Sequence, residues 1–397
     1  MGPGRRWPGK ALWSRVSRWW EAVKKSRKWQ QKAWDVIVIG SGPGGSVAAK
    51  VCAGAGLETL FLEKKRLPRD KVCTGMVMGP WAKNLIKEHF GDIPAEVLGD
   101  PGHYTGVTLH MGTENVAEVV IPIPVAWRKN LDYWMSRNAV QAGALCVDGA
   151  RATAITHHKG GYEVEITREN TQKGKLSARC VIGADGAFSM VRKFIRPDLR
   201  VRYRPAYREC YREELSIPKY RFHWFFPFVS PSPRFDVSYK EGFFLIEGGS
   251  IRGIKDKIKE ILRGFGFSPD ARPVWRDGCV IADLYDGLLK GSFLPAKENV
   301  VLVGDAGGML LPFTQEGIGS ALKSGVLAAE SVIEAIRGGG MAEERYLKKV
   351  RPVITVLKGL RALYVRMGDI AKEGPGALSQ AMGEYIEKTV SENFDEL

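Results

Sequence analysis

Residues 35–45 read Asp35-Val-Ile-Val-Ile-Gly40-Ser-Gly42-Pro-Gly44-Gly45, and this run decides the fold. Val36 to Ile39 are all β-branched, the composition of a strand buried on both faces. The small residues Ser46-Val-Ala-Ala-Lys-Val-Cys-Ala53 follow at once and open a helix. Gly40 permits the tight turn, Gly42 lets backbone approach a ligand, and Gly45 lets the helix pack on the strand. A second strand, Glu58-Thr-Leu-Phe-Leu-Glu63, ends in an acid 23 residues after Gly40. In this order, free N–H groups at the helix start seat a pyrophosphate, and the carboxylate accepts from ribose hydroxyls. An adenine dinucleotide held by Gly40, Gly42, Gly44, Gly45 and Glu63 is the expectation.

Two later segments repeat the strand–turn–helix order: Val181-Ile-Gly-Ala-Asp185-Gly186-Ala-Phe-Ser189-Met-Val-Arg192 and Asn299-Val-Val-Leu-Val-Gly304-Asp305-Ala-Gly-Gly-Met-Leu-Leu-Pro312. Aspartates at such strand ends contact ribose or ribityl hydroxyls, and a helix N-terminus there faces the electron-rich edge of a flavin. Together the three segments resemble the flavoprotein oxidoreductases that bind FAD as the aromatic hydroxylases do. Within that class the chain looks most like the geranylgeranyl reductases. The matching stretches are 35–49, Lys71-Val-Cys73-Thr-Gly75, 183–193 and 302–325. The likeness spans roughly residues 35–335, with about 201–289 poorly matched.

The resemblance implies a role for each matched position. Glu63 would hold the adenosine ribose, the turn 40–45 the pyrophosphate, and Arg128 the phosphate side of the cofactor. Ala152 would meet the adenine through its backbone, and Asp305, after Gly304, the ribityl chain. Gly317 and Ile318 would donate backbone N–H groups to the pyrimidine edge of the flavin. Cys73 and Thr74 would lie along the isoalloxazine, with Cys73 as proton donor or substrate contact. Plainer readings compete: Arg128 pairing with Asp132 one turn on, Asp185-Gly186 as an ordinary turn, Cys73 as a small packed residue. Arg66, Arg69 and Lys71 flank Cys73 in sequence and would favour its thiolate if they face it.

Outside the motifs, charge is unevenly spread. The 397 residues carry 59 Lys+Arg against 44 Asp+Glu, a net charge of +15. Residues 1–34 hold ten basic residues, one acid (Glu21) and six of the eleven Trp. Leu12, Val16, Trp19, Trp20 and Val23 recur at steps of three and four, so 10–33 is expected to form a basic amphipathic helix on an anionic membrane surface. A basic tail or a nucleic-acid arm fits the Trp spacing less well. With that segment set aside the remaining charge is modest, and no nucleic-acid partner is expected. The six scattered Cys include no CxxC pair, which argues against a zinc site or disulfide framework and for a reducing compartment. No apolar run reaches a membrane span and no secretory leader is evident, so the expected location is cytoplasmic, peripheral on the inner face of the cell membrane.

The expected fold is α/β: a Rossmann-type FAD domain with a parallel sheet, built discontinuously from 35–105, 128–200 and 290–340. A smaller mixed or antiparallel substrate sheet from 106–127 and 201–289 and C-terminal helices at 341–397 complete it. Aromatic residues crowd the segment from Tyr203 to Phe244, which suggests a sheet face lining a large apolar cavity. Trp224-Phe-Phe-Pro227 resembles an aromatic stretch of the geranylgeranyl reductases. Val350, Val353, Ile354, Leu357, Leu360 and Leu363 form a second apolar stripe, set among basic residues, to be packed on the FAD domain or laid on the membrane.

The activity implied is reduction of carbon–carbon double bonds in a polyprenyl lipid or quinone, hydride passing to one alkene carbon and a proton to the other. No second glycine fingerprint follows a strand, so electrons are expected from transiently bound NAD(P)H or a small redox protein. Flavin monooxygenases and halogenases share the scaffold, though the Trp-x-Trp-x-Ile-Pro element of many halogenases is absent. A non-catalytic basic binding protein would leave all three flavin segments unexplained.

Overall fold

The computed structural model describes residues 28–168, 172–249 and 251–390. Most of the expected membrane-surface helix at 10–33 therefore lies outside the described residues. The strands are β1 (Ala33–Ile39), β2 (Thr59–Glu63), β3 (Leu98–Met111), β4 (Glu114–Ala126), β5 (Leu145–Asp148), β6 (Ala150–His158), β7 (Gly161–Arg168), β8 (Gln172–Gly183), β9 (Arg202–Tyr211), β10 (Phe222–Phe226), β11 (Phe235–Lys240), β12 (Phe243–Gly248), β13 (Trp275–Asp283), β14 (Ala296–Lys297) and β15 (Val300–Leu302). The helices are α1 (Pro43–Gly54), α2 (Pro80–Phe90), α3 (Arg128–Gln141), α4 (Met190–Ile195), α5 (Lys255–Arg263), α6 (Tyr285–Lys290), α7 (Ile318–Gly338), α8 (Ala342–Ile370) and α9 (Pro375–Val390).

The first sheet runs β14-β15-β8-β1-β2-β5, with β7 and β6 joined to β8. Its centre is parallel: Val36 to Ile39 pair with Thr59 to Leu62 on one side and with Cys180 to Gly183 on the other. These residues are buried, as a sheet covered on both faces requires. Small residues let α1 and α7 approach closely, since a Cβ on Gly325 would lie 2.4 Å from the Gly44 carbonyl oxygen.

The second sheet runs β13-β9-β12-β11-β10-β3-β4 and is antiparallel except where β10 meets β3. Alternation along β10 sends Phe222, Trp224 and Phe226 into the main core and Phe225 to the opposite face. There Phe225 packs with Phe235, Phe244 and the apolar side of α5. On that face the Phe225 and Phe235 rings stack at 4.8 Å and Tyr211 and Phe244 at 5.0 Å, while Phe222, Trp224 and Phe226 on the other are buried in the main core. The aromatic residues expected to line a cavity are thus mostly core. Helix α8 resolves in the same direction, because Val350, Val353, Leu357 and Leu360 are buried against the protein. Lys349 on α8 pairs with Glu330 and Glu334 of α7. No described helix is long and apolar enough to cross a membrane.

Candidate active site

The turn between β1 and α1 is shaped by contacts only glycine tolerates. Gly40 has φ 109°, and a Cβ there would lie 2.2 Å from the Ala184 carbonyl oxygen. A Cβ on Gly45 would lie 1.9 Å from the Gly40 carbonyl oxygen. Gly42 differs: its missing Cβ opens onto space whose nearest atoms are Arg128 Nη2 at 3.9 Å and Arg69 Nη2 at 4.0 Å. No side chain caps α1, and its first turn holds no acid, so its N–H groups and dipole are left for an anion.

The two guanidiniums are fixed by buried acids. Asp132, fully buried, takes Arg128 in a bidentate pair at 2.7 and 3.0 Å and Arg69 at 3.0 Å. Arg69 also donates to Glu63 at 2.8 Å, and Ser41 Oγ and the Lys65 N–H complete the Glu63 carboxylate at 2.9 Å each. Burial alone would raise the Glu63 carboxyl, but Arg69, with the Lys65 N–H and Ser41, holds it below the ordinary range. Burial would likewise lower the Arg128 guanidinium, yet Asp132 and Cys73 more than offset it and hold it protonated. Arg128 pairs with Asp132, as its plainer reading expected, and its Nη2 is the nearest atom on the open side of Gly42. A cradle with a helix N-terminus, two fixed guanidiniums and an ionised carboxylate matches a dinucleotide pyrophosphate with its ribose.

Cys73 and Thr74 lie on a segment attached to the second sheet. Gly75 has φ 77°, and its backbone N–H and carbonyl face Cys73 and Ala126: Gly75 N–H donates to Cys73 Sγ at 3.4 Å and its carbonyl accepts from Ala126 at 2.9 Å. Arg208 donates to the Cys73 carbonyl at 3.2 Å and Lys240 Nζ to the Thr74 carbonyl. Arg208 is itself fixed by Asp277 at 2.6 and 2.9 Å and lies 3.6 Å from Glu247. Lys240 is fully buried, its ammonium 4.5 Å from the Trp127 ring centre, and burial pushes it down to about 8. The cations that interact electrostatically with Cys73 include Arg128 and Lys240. Of the sequence neighbours expected there, Arg66 pairs with Asp148 and Arg69 with Glu63 and Asp132.

The third part is the stretch from Gly304 to α7. The Gly304 N–H donates to Ser324 Oγ at 3.0 Å, and Asp305 Oδ1 is 3.6 Å from where a Gly317 Cβ would stand. Asp305, Gly317 and Ile318 are thereby brought together at the N-terminus of a 21-residue helix. Phe313 and Gln315 hold left-handed φ values of 62° and 56°. Such conformations cost about 1–3 kcal/mol each and persist only where surroundings impose them. Here Arg234 donates to the Phe313 carbonyl at 2.5 Å and Tyr385 to the Pro312 carbonyl. Glu316 accepts from the Gly319 N–H at 2.7 Å; burial raises its carboxyl to about 7, against the N–H groups of 318–320 and Arg128.

Two further expected residues lie on other elements. Asp185 adjoins the Gly40 turn, but its carboxylate accepts from Met190 and Val191 N–H at 2.7 and 3.2 Å, capping α4. One of its oxygens is buried without a partner, and burial raises the carboxyl. Ala152 is half-buried in β6 opposite Ile166, at a bulge before Ala154. Ser41, Arg69, Lys240, Arg208 and Glu316 join the site beside the expected residues. No local pattern in the sequence marks them; Lys240, for instance, ends a strand that alternates apolar and polar residues and is buried throughout.

Cradle, sulfur-bearing loop and helix terminus define a flavin-binding oxidoreductase, and comparison with known proteins agrees. Residues 106–204 match the model of the FAD binding domain. The chain is 24% identical over 379 residues to digeranylgeranylglycerophospholipid reductase 3 of Methanosphaera stadtmanae, covering 92% of this chain and 93% of that protein. In structure it is similar to a geranylgeranyl bacteriochlorophyll reductase-like protein from Thermoplasma acidophilum, with TM-score 0.67, 21% identity, and coverage of 92% and 98%. A flavin-dependent brominase is similar at TM-score 0.65 and 16% identity, covering 91% of this chain and 95% of its own. The protein is an FAD-dependent oxidoreductase. Its resemblance to the geranylgeranyl reductases, read first from the motifs, holds across nearly the whole chain.

Proposed function

We propose that this enzyme reduces carbon–carbon double bonds of a polyprenyl chain, in a lipid or a quinone, at a membrane surface. Near-complete coverage of a digeranylgeranylglycerophospholipid reductase supports this. The observation that carries it is the placing of Cys73, with Arg128 at its sulfur, on a loop clamped by Arg208 and Lys240 of the second sheet. Bound FAD supplies the hydride. Gly40–Gly45, Arg69 and Arg128 hold its pyrophosphate, Glu63 the ribose, Asp305 the ribityl chain, and Gly317 and Ile318 the pyrimidine edge. An isolated alkene is a poor hydride acceptor, so positioning and proton delivery carry much of the barrier. Cys73 delivers that proton, and Arg128 stabilises the thiolate left behind. Residues 10–33 bring the enzyme to anionic lipid, where such a substrate resides, and NAD(P)H or a small redox protein supplies electrons.

The test is product analysis. Reduced holoenzyme is incubated with vesicles containing digeranylgeranylglycerophospholipid, and the lipid is examined by mass spectrometry. The reading expects a pair of hydrogens gained at each reduced double bond; lipid recovered unchanged beside an oxidised flavin refutes it.

A further inference from the structure

A cavity of about 520 Å³ lies between the ends of β9 and β13 and helix α8, and none of its lining residues belongs to the dinucleotide cradle. That volume is in the range of small-molecule sites. Arg202 and Arg204, two apart on β9, project from one wall and share a single acid, Asp283, at 2.9 and 3.4 Å. Arg204 Nε is buried and makes no hydrogen bond despite that proximity. From the other wall comes Arg361, whose guanidinium faces the rings of Tyr285 and Tyr364 at 6.0 and 5.5 Å. Three guanidiniums against one carboxylate leave two positive charges uncompensated by the cavity's own walls.

The cavity shares its wall with the loop that precedes α7. The Tyr285 hydroxyl donates to the Leu310 carbonyl at 2.6 Å, and the Tyr364 ring stacks on Phe313 at 5.6 Å. Phe313 in turn contacts Trp224 at 5.5 Å and lies four residues before Gly317. Tyr364, Phe313 and Trp224 thus form a contiguous aromatic row from the cationic cavity into the core, with Phe313 on the loop that leads to Gly317.

We propose that this cavity binds the phosphate headgroup of the polyprenyl substrate, with Arg202, Arg204 and Arg361 as its ligands. This rests on the reductase reading above and narrows it, from any polyprenyl lipid or quinone to one that carries a phosphate ester. A phosphate monoester bears a charge of about −1.5 to −2 near neutral pH, matching the two uncompensated charges. Its oxygens also suit the planar donor fork of arginine. An uncharged quinone ring uses none of this. Headgroup capture at the solvent side sets how far along the chain the reducible double bonds fall, so the arginines fix position as well as affinity.

The experiment is calorimetric titration of oxidised holoenzyme in detergent with geranylgeranyl monophosphate, geranylgeraniol and NADPH. In the wild type the monophosphate is expected to bind about ten- to hundredfold tighter than the alcohol, the usual worth of charged hydrogen bonds. Arg361→Gln and the double variant Arg202→Gln/Arg204→Gln should each lower monophosphate affinity at least about tenfold and leave the alcohol's unchanged. The flavin spectrum and the alcohol titration report that each variant is folded. Equal affinity for phosphate and alcohol in the wild type, or a preference that survives both variants, overturns the proposal and leaves the reductase reading standing. Loss of NADPH binding with monophosphate binding intact assigns the cavity to the nucleotide and also overturns it. A wild type that binds neither polyprenyl compound sinks the reading beneath it as well.

Discussion

Gly42 and Gly45 sit three residues apart in one turn, and replacing each with alanine should separate cofactor binding from folding. At Gly42 the backbone is extended, φ −72° and ψ −177°, which alanine adopts freely, and a new Cβ meets no atom within 3.9 Å. Losing glycine at the helix cap costs about 0.5–1 kcal/mol, and the stiffer unfolded chain returns about 0.4–1 kcal/mol. The Gly42→Ala apoprotein should therefore unfold in urea within about 1 kcal/mol of wild type. Its methyl, however, stands between the Arg69 and Arg128 guanidiniums, in the space an anion bridging them would occupy. Losing one charge-assisted hydrogen bond there, about 1.5–3 kcal/mol, weakens FAD by about ten- to hundredfold. At Gly45 the new Cβ would lie 1.9 Å from the Gly40 carbonyl oxygen and 3.0 Å from Ala184 Cβ, neither of them a flexible side-chain end. Backbone must move, at about 1–3 kcal/mol, despite the roughly 1 kcal/mol by which alanine favours a helix. Fluorescence titration of apoprotein with FAD, beside urea unfolding, reads both quantities. A Gly42→Ala protein that binds FAD like wild type, or that is as unstable as Gly45→Ala, would refute the placing of the pyrophosphate.

Cys73→Ala should leave FAD affinity near wild type and slow polyprenyl turnover by about 10²–10⁴-fold, the worth of a positioned acid; unchanged single-turnover rates with pre-reduced enzyme would dismiss Cys73 as proton donor. Lys240→Met bears on the clamp under that loop. With Lys240 pushed by burial from 10.5 to about 8, the unfolded chain holds a proton that the native state lacks between those values. Wild-type stability should therefore gain up to about 3 kcal/mol from this group as pH rises from 8 to 10.5. Urea unfolding across that range should show the gain missing in the variant, and an identical slope in both proteins would contradict the burial of a charged Lys240. Glu316 has the opposite sign: raised from 4.5 to about 7, it contributes stability at acid pH that is lost as pH rises through that window. Since Glu316 keeps some solvent contact, the loss is at most about 3 kcal/mol, and Glu316→Gln should flatten the profile between pH 4.5 and 7.

What could be read from sequence was what lies close in sequence. The strand, glycine turn and helix from Asp35 to Ala53 are local, and Glu63 follows one strand later, so both the turn and its acid were visible. The two faces of the site that meet at Cys73 were not, because their partners come from far along the chain. Lys240 reaches Thr74 across 166 positions and Arg208 reaches Cys73 across 135. No pattern within a window reports such pairings. Proximity in sequence also misled: Arg66 and Arg69 flank Cys73 but turn to acids, and the guanidinium at the sulfur is Arg128. Aspartate after a strand serves two ends, and only the structure shows that one Asp185 oxygen caps α4. Dense aromatics in 203–244 mark a two-faced core as readily as a cavity wall, since composition does not say which neighbours fill the space.

The most direct test of the central claim is spectroscopic. Holoenzyme reduced anaerobically should hold a bleached flavin absorbance until a geranylgeranyl lipid is added, then recover it in step with formation of the saturated product. Reduced flavin that ignores the lipid but reoxidises rapidly in air, with no double bond consumed, would contradict the reductase account and move the enzyme to the oxygen-using flavoproteins.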